Sequence, residues 1–202
     1  MGLVGRLAGI VPNHLAIAWW GLAKPRIWEK APLLIVQGVV LGDERVLLSV
    51  RSDLHGWELP GGNPGAGEPE EAALRREIFE ETGVEVAVER HVGDYVRTGF
   101  RPHTARVFLC RATGGELRPS AETPSVRWFP IRQVPETLFP WYRAPLEDAL
   151  ADLSEPVERR EYQGRATVWA GMKIDFRMRL SNDCAGLVPG PDPHLPIGRD
   201  VP

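Results

Sequence analysis

Within GGNPGAGEPEEAALRREIFEETGV, residues 61–84, three carboxylates stand at i, i+3 and i+4: Glu77, Glu80 and Glu81. On a helix of 3.6 residues per turn they fan over only about 100° of the circumference, so all three share one face. Like charges at that spacing destabilise a helix by about 0.2–0.5 kcal/mol per pair, and near its C-terminal end the macrodipole disfavours anions as well. The chemistry that offsets such a cost is the binding of a hard divalent cation. Mg²⁺ takes oxygen ligands and is commonly shared between a few carboxylates and substrate phosphates. A bare E-x-x-E-E is more often an ordinary solvated face, so its surroundings decide the matter.

The surrounding pattern supplies elements able to position these acids. Pro69 is favourable at the start of a helix and Gly83 at its end, which predicts a helix from Pro69 to about Thr82 behind a glycine-rich loop. Upstream, LLIVQGVV and RVLLSV are β-rich runs joined by Leu41-Gly42-Asp43-Glu44, a predicted hairpin. Downstream, VEVAVE, ARVFLCR and SVRWFPI read as strands, and Pro145 opens a short helix through Ala151. The order is mixed α/β. Beyond Pro156, Met172, Ile174, Phe176, Met178 and Leu180 alternate with charged residues, which predicts a half-buried strand with REYQGRATVW as its hairpin partner. The expected organisation is an N-terminal helical appendage over 1–31, a domain over 32–152, a C-terminal β-hairpin extension over 153–180 and a flexible tail over 181–202.

Composition narrows the function classes. At 202 residues with 43% hydrophobic content, the chain has room for one domain with a proper core plus appendages. A net charge of -3 argues against a binder of nucleic-acid polymers or anionic membranes, so any phosphate binding is local. Two cysteines, Cys110 and Cys184, make neither a disulfide framework nor a zinc cluster, which fits a reducing, cytoplasmic setting. The apolar stretch Leu7 to Ala23 is interrupted by Pro12-Asn13-His14, too broken for a membrane span or a secretory signal. It reads as a helix from His14 to Ala23, capped at Asn13, that docks on the domain or on a second subunit; its Trp19-Trp20 pair leaves a peripheral membrane anchor as the alternative.

The loop and helix together match the Nudix box, G-x5-E-x7-R-E-U-x-E-E-x-G-U, at Gly62, Glu68, Arg76, Glu77, Ile78, Glu80, Glu81, Gly83 and Val84. Nine matches across 23 residues are hard to meet by chance. The flanks WELPGG and VRWFPIRQVP, with Arg51 on the preceding strand, also resemble that family, over about residues 32–152. The resemblance implies the Nudix fold, a mixed β-sheet sandwiched between helices. It further implies that Glu77, Glu80 and Glu81 hold Mg²⁺, for which Mn²⁺ can substitute, together with the main-chain carbonyl of Gly61. Arg76 is implied to pair with Glu68 in support of the loop, and Glu122, six residues before Trp128, to be a further acidic ligand from a loop across the site, an ordinary solvated glutamate being the alternative. Leu74 and Ile78 are expected in the core.

The reaction implied is hydrolysis of a pyrophosphate linkage in a nucleoside diphosphate joined to another group: a nucleotide sugar, an ADP-ribose-like compound or a nucleoside triphosphate. A metal that bridges phosphate oxygens neutralises charge and lowers the pKa of a bound water, and a carboxylate, here Glu77, takes the proton. For the remaining phosphate charge the chain offers Arg51 and, after the box, Arg97, Arg101, His103, Arg106 and Arg111, of which at least two are expected to be plain strand-surface residues. The expected substrate-binding set is Arg51, Arg101, His103 and Arg106, although His103 could also act as an auxiliary base or, the favoured reading of the three, simply cap a loop. Phe100, Tyr95, Trp141 and Tyr142 are core by default, yet within reach of a nucleobase. No subfamily signature identifies the substrate. The competing expectations are a catalytically silent nucleotide-binding module, which normally loses box glutamates, and a membrane-peripheral hydrolase. A homodimer built through the appendages is also implied by the resemblance.

Overall fold

The computed structural model describes residues 33–151 and 153–181. Four short strands begin the domain: β1 (Leu33–Gly42), β2 (Arg45–Val50), β3 (Trp57–Glu58) and β4 (Gly61–Gly62). Helix α1 (Glu70–Thr82) follows, then the long strands β5 (Val84–Gly99) and β6 (His103–Gly115), β7 (Ser125–Pro130) and helix α2 (Arg143–Leu150). The last described elements are β8 (Val157–Gln163) and α3 (Arg165–Leu180). The expected N-terminal helix and the tail beyond residue 181 lie outside the described residues.

The strands make one mixed sheet in the order β3-β2-β1-β6-β5-β8, with β4 on β1 and β7 on β2. The predicted hairpin is present: β1 and β2 pair antiparallel, and Asp43 and Glu44 turn the corner with φ of 46° and 60°. Alternate residues of β2 face opposite layers, Leu47 toward α1 and Val46, Leu48 and Val50 toward the other side. Because both faces are covered, β1 and β2 read as nearly unbroken apolar runs rather than strict alternations. Leu74 and Ile78 of α1 are fully buried among Val36, Val40, Leu47 and Phe108. On the opposite face Trp57, Tyr95, Phe139, Leu146 and Met178 form the larger core. α1 stops at Gly83, whose φ of 76° is left-handed and whose amide bonds the Phe79 carbonyl.

The C-terminal extension departs from expectation. Residues 157–163 do form a strand, but β8 adds to the edge of β5 in parallel, from Gly93↔Val157 to Gly99↔Gln163, and residues 165–180 are a helix instead of its hairpin partner. The buried positions of α3 are Gly171, Asp175 and Met178, a helical spacing, whereas Phe176 and Leu180 of the supposed apolar stripe are exposed. The alternation of Met, Ile and Phe with Lys and Arg misleads because one of its polar members, Asp175, is wholly buried. Asp175 accepts hydrogen bonds from the His55 amide at 2.7 Å and from Arg179 Nε at 2.8 Å. A partner distant in sequence, invisible to periodicity, reverses which side of the segment faces inward. Among the described residues no helix is long and apolar enough to cross a membrane.

Candidate active site

β4 is only two glycines long, and both are needed for contact. Gly61, at φ 150°, lies so close to β1 that a Cβ would fall 2.1 Å from the Val36 carbonyl oxygen. At Gly62 a Cβ would fall 2.4 Å from the carboxylate carbon of Glu77. The Gly61 amide donates to Glu81 Oε2 at 3.0 Å. The glycine loop and the acidic face of α1 therefore meet backbone to carboxylate.

Arg76 ties the rest of the loop to the helix. Its Nε and Nη2 donate to both oxygens of Glu68, at 3.0 and 2.9 Å, and Nη1 reaches Glu77 at 2.9 Å and Glu80 at 3.2 Å. The guanidinium, helped by the Gly65 amide, draws the Glu68 carboxyl down to about 2. The expected pairing of Arg76 with Glu68 is thus present, and Arg76 also spans two of the three acids. Among the described residues no three acidic, histidine or cysteine side chains converge tightly enough to hold an ion as they stand. Glu77 and Glu80 are drawn onto Arg76, while Glu81 is turned to Gly61.

Glu58, in the WELPGG flank, carries no role in the sequence reading, yet it is buried beside this group and accepts from the Tyr142 hydroxyl at 3.1 Å. Burial pushes its carboxyl up to about 7 against the pull of Arg51 and Tyr142. Burial, and next the charge of Glu58, pushes Glu81 up to about 8, opposed by the Gly61 amide. Two acids raised by burial, one of them also by the charge of the other, mark a place short of positive charge. With oxygen donors only and a carboxylate resting where a Cβ cannot fit, these residues suit a hard divalent cation. Glu122 is exposed on its loop, and its main-chain carbonyl accepts from the Ser52 amide at 2.8 Å. It is not drawn into the group.

A cavity of about 210 Å³ opens from Glu58, Gly61 and Gly62. Of the expected substrate-binding residues, Arg51, Arg101 and His103 line it, and Arg106 does not. Arg106 is held away by Asp94 at 2.7 and 2.8 Å and Glu70 at 2.6 Å, tying β5 and β6 to the start of α1, so its role is structural. Arg111 likewise pairs with Glu89 on the strand surface. Arg51 is oriented by a bidentate bond to Asp53 at 2.8 and 2.7 Å. His103 donates from Nδ1 to the Arg101 carbonyl at 2.7 Å, leaving Nε2 to accept from Arg97 at 3.3 Å, which requires the neutral ring. Burial first, and the positive charges of Arg97 and Arg101, hold His103 down to about 4 against that carbonyl. Phe100, Trp141 and Tyr142 also line the cavity, whereas Tyr95 is core and donates to Asp148 at 2.7 Å. Gln37, also at the wall, donates to the Tyr142 hydroxyl at 3.3 Å and leaves its buried Oε1 without a partner. Polar residues isolated in apolar strands, as Gln37 is in LLIVQGVV, are the sequence signal that could have marked it.

The NUDIX domain family matches residues 32–149 of this chain. A MutT-like protein of Streptomyces ambofaciens is 35% identical over 153 residues, covering 74% of this chain and 97% of that protein. An ADP-ribose pyrophosphatase of Methanocaldococcus jannaschii is 32% identical over 114 residues, 54% of this chain and 68% of that protein. A NUDIX hydrolase of Nitrosomonas europaea superposes with a TM-score of 0.60 at 20% identity, covering 66% of this chain and 80% of that one, a likeness of fold. The domain match contains the whole box on its loop and α1, and a relative aligns over nearly all its length, so the chain belongs to the Nudix family and is a Nudix pyrophosphohydrolase.

Proposed function

We propose that this protein hydrolyses the pyrophosphate linkage of a nucleoside diphosphate joined to another group, with Mg²⁺ or Mn²⁺ as cofactor. The observation that carries the reading is the cavity itself. Its lining includes Glu58, Gly61 and Gly62, with the Glu77 carboxylate against Gly62, and also Phe100, Trp141 and Tyr142. A pyrophosphate needs the first environment and a flat base suits the second.

Glu77, Glu80, Glu81 and the main-chain carbonyl of Gly61 would hold the metal. Once bound, it would neutralise phosphate charge and render an attacking water more acidic. Arg51, steadied by Asp53, and Arg101 would grip phosphate oxygens; His103, kept neutral, orients Arg97 and the Arg101 carbonyl. The unpartnered Oε1 of Gln37 would accept a hydrogen bond from a substrate hydroxyl or N–H, relieving a buried acceptor. Glu77 would take the proton as water attacks phosphorus; the bond to the bridging oxygen breaks, and a nucleoside monophosphate leaves with the phosphorylated remainder. Glu122 would join only by a movement of its loop.

The same reading makes the protein a cytoplasmic homodimer. Its support is the buried, free thiol of Cys110 and an outward row on α3 of Trp169, Phe176 and Leu180, which are 60%, 47% and 45% exposed. Purified protein assayed over nucleotide sugars, ADP-ribose-like compounds and nucleoside triphosphates tests the activity. Release of nucleoside monophosphate that stops with chelator and returns with Mg²⁺ is the expected result; undiminished turnover in chelator would overturn it.

A further inference from the structure

The family domain ends at residue 149, yet the cavity does not. Gln163 at the end of β8 and Thr167, Val168, Gly171 and Met172 on one face of α3 line it as well, with Gly171 standing against Trp141. Their spacing of i, i+1, i+4 and i+5 is that of a single helical face. We infer that α3 is the wall that selects the group carried beyond the pyrophosphate, with Gly171 setting how near that wall stands to Trp141.

Three sets of contacts make this wall a fixed surface. β8 pairs with β5 over seven residues, Gly93 to Gly99, which anchors the start of the helix to the domain's sheet. Asp175 accepts from the His55 amide and Arg179 Nε, and Arg179 Nη2 reaches the Asp53 carbonyl at 3.4 Å. Asp53 is the residue that orients Arg51, so the helix is joined through this clamp to the loop carrying a proposed phosphate ligand. Met178 and Ile174 enter the core beside Phe139. The wall is therefore joined both to the sheet and to the loop that carries Arg51.

The decisive contact is at Gly171. A Cβ there would lie 3.1 Å from Trp141 Cη2 and 4.0 Å from Phe139 Cε1, and Trp141 is backed by Phe139, on which it stacks at 4.6 Å with an interplanar angle of 8°. Phe139 is itself covered by Gly56, where a Cβ would fall 2.3 Å from the ring. Any side chain at 171 must project into the cavity or push α3 outward. Bulk at this position is read by the substrate. The substrate class selected is a nucleoside diphosphate derivative whose flat base enters the cavity that α3 and the aromatic residues both line.

The inference rests on the hydrolase reading, and the test separates the two. Full-length protein is assayed with Mg²⁺ on a panel of nucleoside diphosphate derivatives and on dimethyl pyrophosphate, which has the reacting linkage and no base. If the unaltered protein cleaves neither, the hydrolase reading fails. If it cleaves its preferred nucleotide, Gly171→Val is expected to lower the preference, the ratio of kcat/KM for that nucleotide over dimethyl pyrophosphate, by about tenfold or more, chiefly through KM. Val168→Ala, which removes two methyl groups from the same wall without crowding Trp141, is expected to change the ranking of base-modified substrates in favour of bulkier ones. It serves alone should the valine variant fail to fold. An unchanged preference in folded Gly171→Val, or an unchanged ranking in Val168→Ala, would overturn the inference.

Discussion

Arg76 and the three glutamates are locked in a charge arrangement that a cation would rearrange. Arg76→Ala frees Glu68, Glu77 and Glu80 together, so it is expected to lower thermal stability or metal affinity as well as rate. A fall in rate with both others untouched would make Arg76 a substrate contact instead. Glu77→Gln and Glu81→Gln are each expected to reduce kcat by about a hundredfold or more with the fold intact, measured beside circular dichroism. Near-normal turnover in both would remove the metal site. His103 bears on stability. Its folded pKa of about 4 lies below the ordinary 6.5, so the unfolded chain binds the extra proton between those values. Its burial costs no stability above pH 6.5, and up to about 3 kcal/mol is lost as pH falls toward 4. Urea midpoints at pH 5 and 7 should draw closer together in His103→Asn.

Among the secondary elements, α3 contributes most that a strand in its place could not. Burial raises the Asp175 carboxyl, but the bonds from His55 and Arg179 outweigh it and hold the group at about 2. Stability from this clamp is complete above about 3.8 and is lost as pH falls through 2, amounting to about 2 kcal/mol. Asp175→Ala leaves Arg179 and the His55 amide buried without their acceptor, so a loss of about 3 kcal/mol is expected in chemical denaturation. A loss below about 0.5 kcal/mol would show that the clamp is solvated in solution.

For the whole molecule, the exposed row Trp169, Phe176 and Leu180 lies on the face of α3 turned away from the cavity, so association through it would leave the pocket open. Sedimentation of the full-length protein at micromolar concentration is expected to give a dimer, and Trp169→Glu with Phe176→Glu to shift it toward monomer. A monomer in the unaltered protein would end the homodimer proposal.

The strands before and after α1, the bounds of α1 and the burial of Leu74 and Ile78 were readable from the sequence, because each is set by spacing within a short segment, and the Arg76–Glu68 pair was readable from the resemblance to the Nudix box. Caps, turns and a nine-position motif act over distances the chain itself measures. Glu58 and the idle candidate Arg106 were not readable so, and Gln37 showed only as a polar residue in an apolar run. Glu58 becomes part of the site only when β3 lies beside Glu81 and Tyr142, and Arg106 leaves it only because Asp94 and Glu70 arrive from other elements. The same is true of α3. Alternation along 172–180 favours a strand locally, and what decides for a helix is burial of Asp175 against His55, 120 residues earlier in the chain. Local pattern determined the catalytic box of this protein, and long-range electrostatic pairing and packing decided the shape of the pocket into which it opens.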